Sequence, residues 1–386
     1  MRMDFSEVIG HQHIKSHLVK TVENGRIPHA QLFSGVNGSG LLPMAIAYAS
    51  EVLSSQYEKG SAEYISCRNK VSKLMHPDLH FVYPVNTSDI AKKNAISDNY
   101  AEGWRNFALN NPYASLFEWL QSLGLDKKQG NISKYEAENI SKKLSLKAFE
   151  GGYKVMIIWM ADNMNSECAN KILKLVEEPS EKTLLLLLTE REEQIISTIR
   201  SRCQKLTFPL LSETDIAAAL TTNLKIKEQL AAQLARRARG DYNKALQLQE
   251  ETGEDEIFEK WFISWVRTAF RAKGNKGAIN NLLDWSDELA SQGRETQKKF
   301  FNYCIEVFRQ ALLKNYSADP LLFFEAKDAT FSLPKFAPFV HQNNIFGIIS
   351  ALEDASYHIE RNGNAKIIFT DLSIKLTRLI HQPELT

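Results

Sequence analysis

Tyr153-Lys154-Val155-Met156-Ile157-Ile158-Trp159-Met160 is a continuous apolar run, rich in β-branched residues and too short to cross a membrane, so it reads as a strand buried on both faces. Asn165 is placed to cap the helix that follows, with Glu167 and Lys171 on its early turns. Glu177-Glu178-Pro179 ends that helix, because proline has no N–H to continue the ladder. Lys182 to Thr189, holding the run Leu184 to Leu188, is a second buried strand. Strand, helix and strand without a hairpin turn mark a parallel sheet with a crossover helix. Beyond the second strand comes Arg200-Ser201-Arg202-Cys203, which sets two arginines and a cysteine just past a strand end, where open α/β sheets bind their ligands.

Working outward, an earlier strand, Gln31-Leu32-Phe33-Ser34, runs into Gly35-Val36-Asn37-Gly38-Ser39-Gly40-Leu41-Leu42, a glycine-rich turn followed by a helix to about Leu53. The position suits a phosphate-binding loop, in which backbone N–H groups and a helix end cradle a polyphosphate. The chemistry does not: Leu41 and Leu42 stand where a lysine and a magnesium-binding hydroxyl are needed, while Gly35, Gly38 and Gly40 keep the turn. The strand at 153 fails the same test. It ends in Trp159-Met160 where a catalytic enzyme carries acidic residues for metal and water, and Asp162, which comes late, is expected in a turn or cap interaction. The glycine loop is therefore expected to be a degenerate nucleotide site with no bound cofactor.

Composition bounds the rest. The chain has 386 residues, too many for one ordinary core, so two or three domains are expected. With 47 basic and 46 acidic residues the formal charge is +1, which gives no global drive onto nucleic acid. The four widely spaced cysteines, Cys67, Cys168, Cys203 and Cys304, suit a reducing compartment rather than a disulfide framework. No leader-like start and no apolar run of about 18 residues is found, so a cytoplasmic protein without membrane contact is expected.

His11, His13 and His17 are expected to be solvated helix residues, since no acidic or sulfur partner lies at a fitting offset. Cys67 with His76 and His80 gives no zinc spacing either, and no metal is expected. Leu79 to Tyr83 is a short strand bounded by prolines. Residues 86 to 151, with Trp104, Phe107, Trp119 and Leu120 at helical spacings, read as a helical elaboration, and Lys127 to Lys147 as a loop and a solvated helix. After Pro209 the pattern is helical throughout: Glu213 to Leu220, Ile226 to Arg237 and Tyr242 to Gln249 make a small lid, with Gly253 after it. Further helices, from Glu256 to His381 and rich in aromatics such as Trp261, Trp265, Phe300 and Phe308, make a separate domain.

In their order along the chain, Phe5 to Gly10, Pro28-His29-Ala30, Gly35 to Gly40, His76-Pro77-Asp78, Ala161-Asp162, Asn170 with Leu173 to Pro179, and Thr198 to Cys203 resemble the delta-prime subunits of bacterial DNA polymerase III clamp loaders, in the AAA+ superfamily. The resemblance covers roughly residues 1 to 250, and its specific part is the Glu-Glu-Pro element followed by Ser-Arg-Cys. It implies an α/β, parallel-sheet AAA+ domain over residues 1–208, a helical lid over 209–250 and an all-helical collar over 251–386. It implies that Arg202, flanked by Ser201 and Cys203, is an arginine finger for a neighbouring ATPase subunit, that Thr189 holds the first-sensor place, and that Asn243 stands where ATP-binding relatives carry a second-sensor arginine. The implied partners are tau/gamma and delta subunits, with the sliding clamp and primer-template DNA reached through the complex. Two departures are plain: the family's four-cysteine zinc module is missing, with Cys67 its remnant, and residues 86–151 exceed the family norm. Two other readings stand beside this one. The first is a free-standing binding or scaffold protein on an AAA+-derived domain, and the second is a tau/gamma-like ATPase with unorthodox ligands.

Overall fold

The computed structural model describes residues 4–125, 128–250, 255–273, 275–318, 321, 322, 324 and 326–384. The chain divides into two compact units, Met1–Leu248 and Gln249–Thr386.

In the first unit the elements run α1 (Gln12–Glu23), β1 (Ala30–Gly35), α2 (Leu41–Ser54), α3 (Ala62–Ser72), β2 (Leu79–Val82), α4 (Ala101–Asn110), α5 (Leu116–Ser122), α6 (Lys134–Ser145), β3 (Lys154–Ile158), α7 (Ser166–Glu177), β4 (Thr183–Thr189), α8 (Ser197–Arg200), β5 (Gln204–Phe208), α9 (Glu213–Leu224), α10 (Glu228–Ala238) and α11 (Tyr242–Glu250). The sheet has the order β2-β3-β4-β1-β5 with every pair parallel, so the α/β class expected from the sequence is the class found. All of β3 and β4 is buried, as two-sided apolar runs require. Successive residues point to opposite faces. Val155, Ile157, Leu184, Leu186 and Leu188 share one core with α2, while Met156, Ile158, Leu185 and Leu187 share another with α6, α7 and α8. Each fully buried leucine stabilises by about 1.5–3 kcal/mol relative to exposure. The Asn165 side chain caps α7 by accepting from the Cys168 N–H at 2.8 Å, as its sequence position suggests.

Several expectations are corrected. The β3 strand stops at Ile158, and Trp159-Met160 turn away with Met160 at φ 55°. Residues 204–208, given no strand in the sequence reading, form the edge strand β5, mostly exposed and therefore polar. The α6 helix is not simply solvated: Ala137, Ile140 and Leu144 lie in the core shared with α7, and Glu136, 1% exposed, accepts from the Ser97 N–H. Lys127, the start of that charged stretch, lies outside the described residues. His11 is buried, not solvated; its Nε2–H donates to the Ser39 carbonyl at 2.8 Å and its ring meets Phe208 edge-on. The inserted segment packs Trp104, Phe107 and Trp119 against Tyr83 and Trp159, and thereby buries α2 on every side. The helices α9 to α11, read from the sequence as a lid, share with Ile9 and Tyr113 a core cluster around Ile216, Leu220, Leu234 and Ala235.

The second unit contains α12 (Asp255–Arg271), α13 (Lys276–Ala290), α14 (Arg294–Asn315), α15 (Leu333–Phe336), α16 (Gln342–Glu360) and α17 (Ala365–Leu379). Its core is aromatic, with Trp265 stacked on Trp285 at 5.0 Å and Phe300, Phe301 and Phe308 fully buried. Gly253 and the boundary drawn at residue 251 lie outside the described residues. Among the described residues no helix is long and apolar enough to cross a membrane.

Candidate functional site

At the carboxyl ends of the strands, β1 turns through the glycine loop into α2. Gly38 (φ 69°) and Gly40 (φ 94°) take the left-handed conformation that the tight turn needs and side chains resist. The loop is filled by the chain itself. A Cβ on Gly38 would lie 1.8 Å from Asp241 Oδ1, the Tyr242 N–H donates to the Gly38 carbonyl at 3.3 Å, and a Cβ on Gly40 would lie 3.1 Å from the Tyr113 ring. Leu41 and Leu42 are buried members of the core and offer only apolar surface to the space beside the loop. Trp159, 3% exposed, belongs to the aromatic cluster 5.1 Å from Trp104, and Met160 is likewise buried. The space left between the loop, Tyr113, Trp159, Met160 and Glu190 is about 20 Å³, enough for a single water and far below a nucleotide.

The same place is acidic. Burial first, then the charges of Asp162 and Asp241, push the Glu190 carboxyl up to about 7, against the pull of Arg191. Burial also raises Asp241, although N–H groups of Lys244 and Asn243 bond its carboxylate. A polyphosphate would meet carboxylates where it needs donors. Asp162 is not the turn residue expected: its side chain, 2% exposed, accepts from Thr189 Oγ1 at 3.0 Å and from Arg191 Nη2 at 2.9 Å and Nε at 3.0 Å. The Thr189 hydroxyl is thereby spent inside the protein. Asn243 is likewise engaged, donating to Glu118 Oε2 at 2.7 Å.

Ser201-Arg202-Cys203 lies at the other edge. It directly precedes β5, and Gln204 pairs with Gln31 near the start of β1, so the tripeptide stands at the amino ends of the parallel strands. This overturns the carboxyl-edge position inferred from its distance past β4; the intervening α8 brings the chain back before β5 begins. Glu177, at the end of α7 and ahead of β4, is at the same edge and pairs with Arg202 Nη2 at 2.9 Å, both side chains about two-fifths exposed. Arg202 Nη1 also donates to the Thr198 carbonyl at 3.0 Å, and Ser201 Oγ to the same carbonyl at 3.2 Å. Burial pushes the Cys203 thiol up to about 11, so it is a packing residue and not a thiolate nucleophile.

One cluster escaped the sequence reading. Cys67, His76 and Glu150 bring their donor atoms within 4.8 Å of one another, an assembly hidden because His76 and Glu150 are 74 positions apart. His76 and Glu150 are already bonded to each other. His76 Nδ1 accepts the Asp78 N–H at 3.1 Å, which leaves the ring proton on Nε2 to donate to Glu150, and Glu150 also accepts from Lys70 at 2.5 Å and Tyr57 at 3.1 Å. The Asp78 carboxylate accepts the N–H groups of Phe149 and Glu150. The His-Pro-Asp motif thus ties the loop before β2 to the loop before β3, and burial pushes the Cys67 thiol up to about 11.

A family model described as "DNA polymerase III, delta subunit" matches residues 10–212. The chain is 28% identical over 244 residues to the DNA polymerase III subunit delta' of Bacillus subtilis, covering 63% of this chain and 59% of that protein. It is 22% identical over 397 residues to the DNA polymerase III subunit tau of the same organism, covering 98% of this chain and 62% of that one. It thus spans about three-fifths of the length of these two relatives. Among solved structures, a DNA polymerase III gamma subunit-related protein from Thermotoga maritima matches with a TM-score of 0.41 at 13% identity, covering 95% of this chain and 99% of that one.

Proposed function

The chain belongs to the DNA polymerase III delta-subunit family, and on that premise we propose that it is a non-catalytic, delta-prime-like subunit of a clamp loader that completes the ATP site of a neighbouring tau/gamma ATPase with Arg202. In this reading residues 1–208 are the AAA+ domain, 209–250 the lid and 251–386 a collar that carries assembly. The partners are tau/gamma and delta subunits, through which the protein supports loading of the sliding clamp on primer-template DNA in the cytoplasm.

One observation carries the proposal: the chain's own nucleotide place is filled by Tyr113 and lined with carboxylates, while Arg202 is half exposed at the opposite edge of the sheet. An arginine there cannot serve its own loop, and it is free of the core to serve another chain's. A guanidinium aimed at a transferring phosphoryl group stabilises charge that a buried core arginine never meets. The Arg202–Glu177 pair supports one other reading, a free-standing scaffold in which Arg202 is an ordinary surface cation.

Thermal melting of the purified chain with and without Mg–ATP separates this proposal from a working ATPase. A bound nucleotide at about a hundredfold over its Kd stabilises by about 2.7 kcal/mol. The expected result is no shift and background ATP turnover; saturable stabilisation by Mg–ATP would restore the tau/gamma-like reading.

A further inference from the structure

We propose that Tyr113 and Glu118, carried by the segment inserted between β2 and β3, are positioning residues that replace a bound nucleotide as the bridge between the sheet and the α9–α11 lid. A loop of this shape presents N–H groups and a helix end to an anion, so a nucleotide bound there would touch both the loop and whatever covers it. In this chain its own residues make contacts across that place. The Tyr113 ring lies against Gly40 and meets Tyr242 of the lid edge-on at 4.9 Å, and its hydroxyl accepts the Ile9 N–H at 2.9 Å. Ile9 and Tyr113 are members of the lid's own core cluster.

Glu118 is fixed by a capping box with Ser115 at the start of α5. Its carboxylate then accepts Asn243 Nδ2 at 2.7 Å and Gln247 Nε2 at 3.2 Å, both on α11. Burial acts to raise the Glu118 carboxyl, but the bonds from Ser115, Asn243 and Gln247 win and hold it below the usual carboxylate range, so it is charged when it grips the lid. From the other side, Asn37 Nδ2 donates to Asp241 at 3.4 Å and the Tyr242 N–H to Gly38. A lid held by a ligand shifts its population when the ligand leaves. A lid held by groups of its own chain has a population that does not depend on a ligand's arrival or departure. This inference does not rest on the clamp-loader reading, since a scaffold would need the same bridge.

Hydrogen exchange of the full chain tests it, read in residues 228–248 against β3 and β4. In the natural sequence the lid should exchange slowly, and millimolar Mg–ATP should leave it unchanged. Glu118→Ala should speed lid exchange about tenfold or more, the loss expected for one hydrogen bond to a charged group, with β3 and β4 still protected. Asn243→Ala, which removes the donor from the lid side, should repeat the effect at smaller size and serves if Glu118→Ala does not fold. Three results would overturn the inference: lid exchange unchanged in both variants, exchange rising equally in β3 and β4, or a natural lid protected only when ATP is added.

Discussion

The two ends of the five-stranded sheet have been treated in opposite ways. At the carboxyl ends, where α/β proteins bind ligands, this chain has packed the place with Tyr113, Trp159 and Asp241, and Asp162 takes up the Thr189 hydroxyl. At the amino ends the chain keeps Arg202 half exposed on a short turn, with a single carboxylate for company. On the proposed reading, the capacity to bind a nucleotide and the capacity to supply a cation to one belong to different edges of the same sheet, so the first could be lost while the second is kept.

The comparison can be sharpened by breaking each edge in turn. The largest effect on stability is expected at Asp162. Its carboxylate is buried and accepts four hydrogen bonds, so Asp162→Ala should cost about 2–3 kcal/mol in denaturant unfolding, less than a fully buried pair because Arg191 is half exposed and can turn to water. A loss below about 0.5 kcal/mol, the range of ordinary surface changes, would mean that the closed edge is not held by this carboxylate.

Glu190 should give a smaller effect that depends on pH. Its folded carboxyl is raised from 4.5 to about 7, so between those values the folded state binds the proton more tightly than the unfolded one, and stability falls as pH rises through that window. Glu190→Gln should therefore stabilise by about 1–2 kcal/mol at a pH above 7 and by almost nothing near pH 4.5. Equal effects at both ends of the window would remove the acidic pressure inferred for the closed site. The smallest effect is expected at the open edge: Glu177→Gln breaks an exposed ion pair and should change stability by about 0–1 kcal/mol. A larger loss would make Arg202 a structural residue and count against its reaching a partner.

The sheet's centre was legible because its signals are local. Two apolar runs, a capping asparagine and a terminating proline lie within one stretch, and each acts on its nearest neighbours. The departure of the glycine loop from a phosphate-binding sequence was legible for the same reason, as Leu41 and Leu42 are read off directly. The edge on which Arg202 stands was not, because it depends on β5, whose residues Gln204-Lys205-Leu206-Thr207-Phe208 carry the mixed polarity of an exposed edge strand rather than an apolar run. The roles of Asp162, Glu118 and Glu150 were also out of reach. Each is set by a partner distant in sequence, 125 residues away in the pair of Glu118 with Asn243, and spacing rules cannot report that.

The most direct test of the central claim is a reconstituted assembly of this chain with the tau/gamma and delta subunits proposed as its partners, clamp and primed DNA, comparing Arg202→Ala with Arg200→Ala at equal assembly. A trans finger contributes roughly 10³ to 10⁵ in rate at the single site it serves, diluted when other sites in the ring still turn over. The predicted result is intact assembly, with clamp-stimulated ATP turnover and clamp loading reduced by Arg202→Ala and much less so by Arg200→Ala. Clamp loading unchanged by Arg202→Ala would contradict the finger role and leave Arg202 as the partner of Glu177 alone.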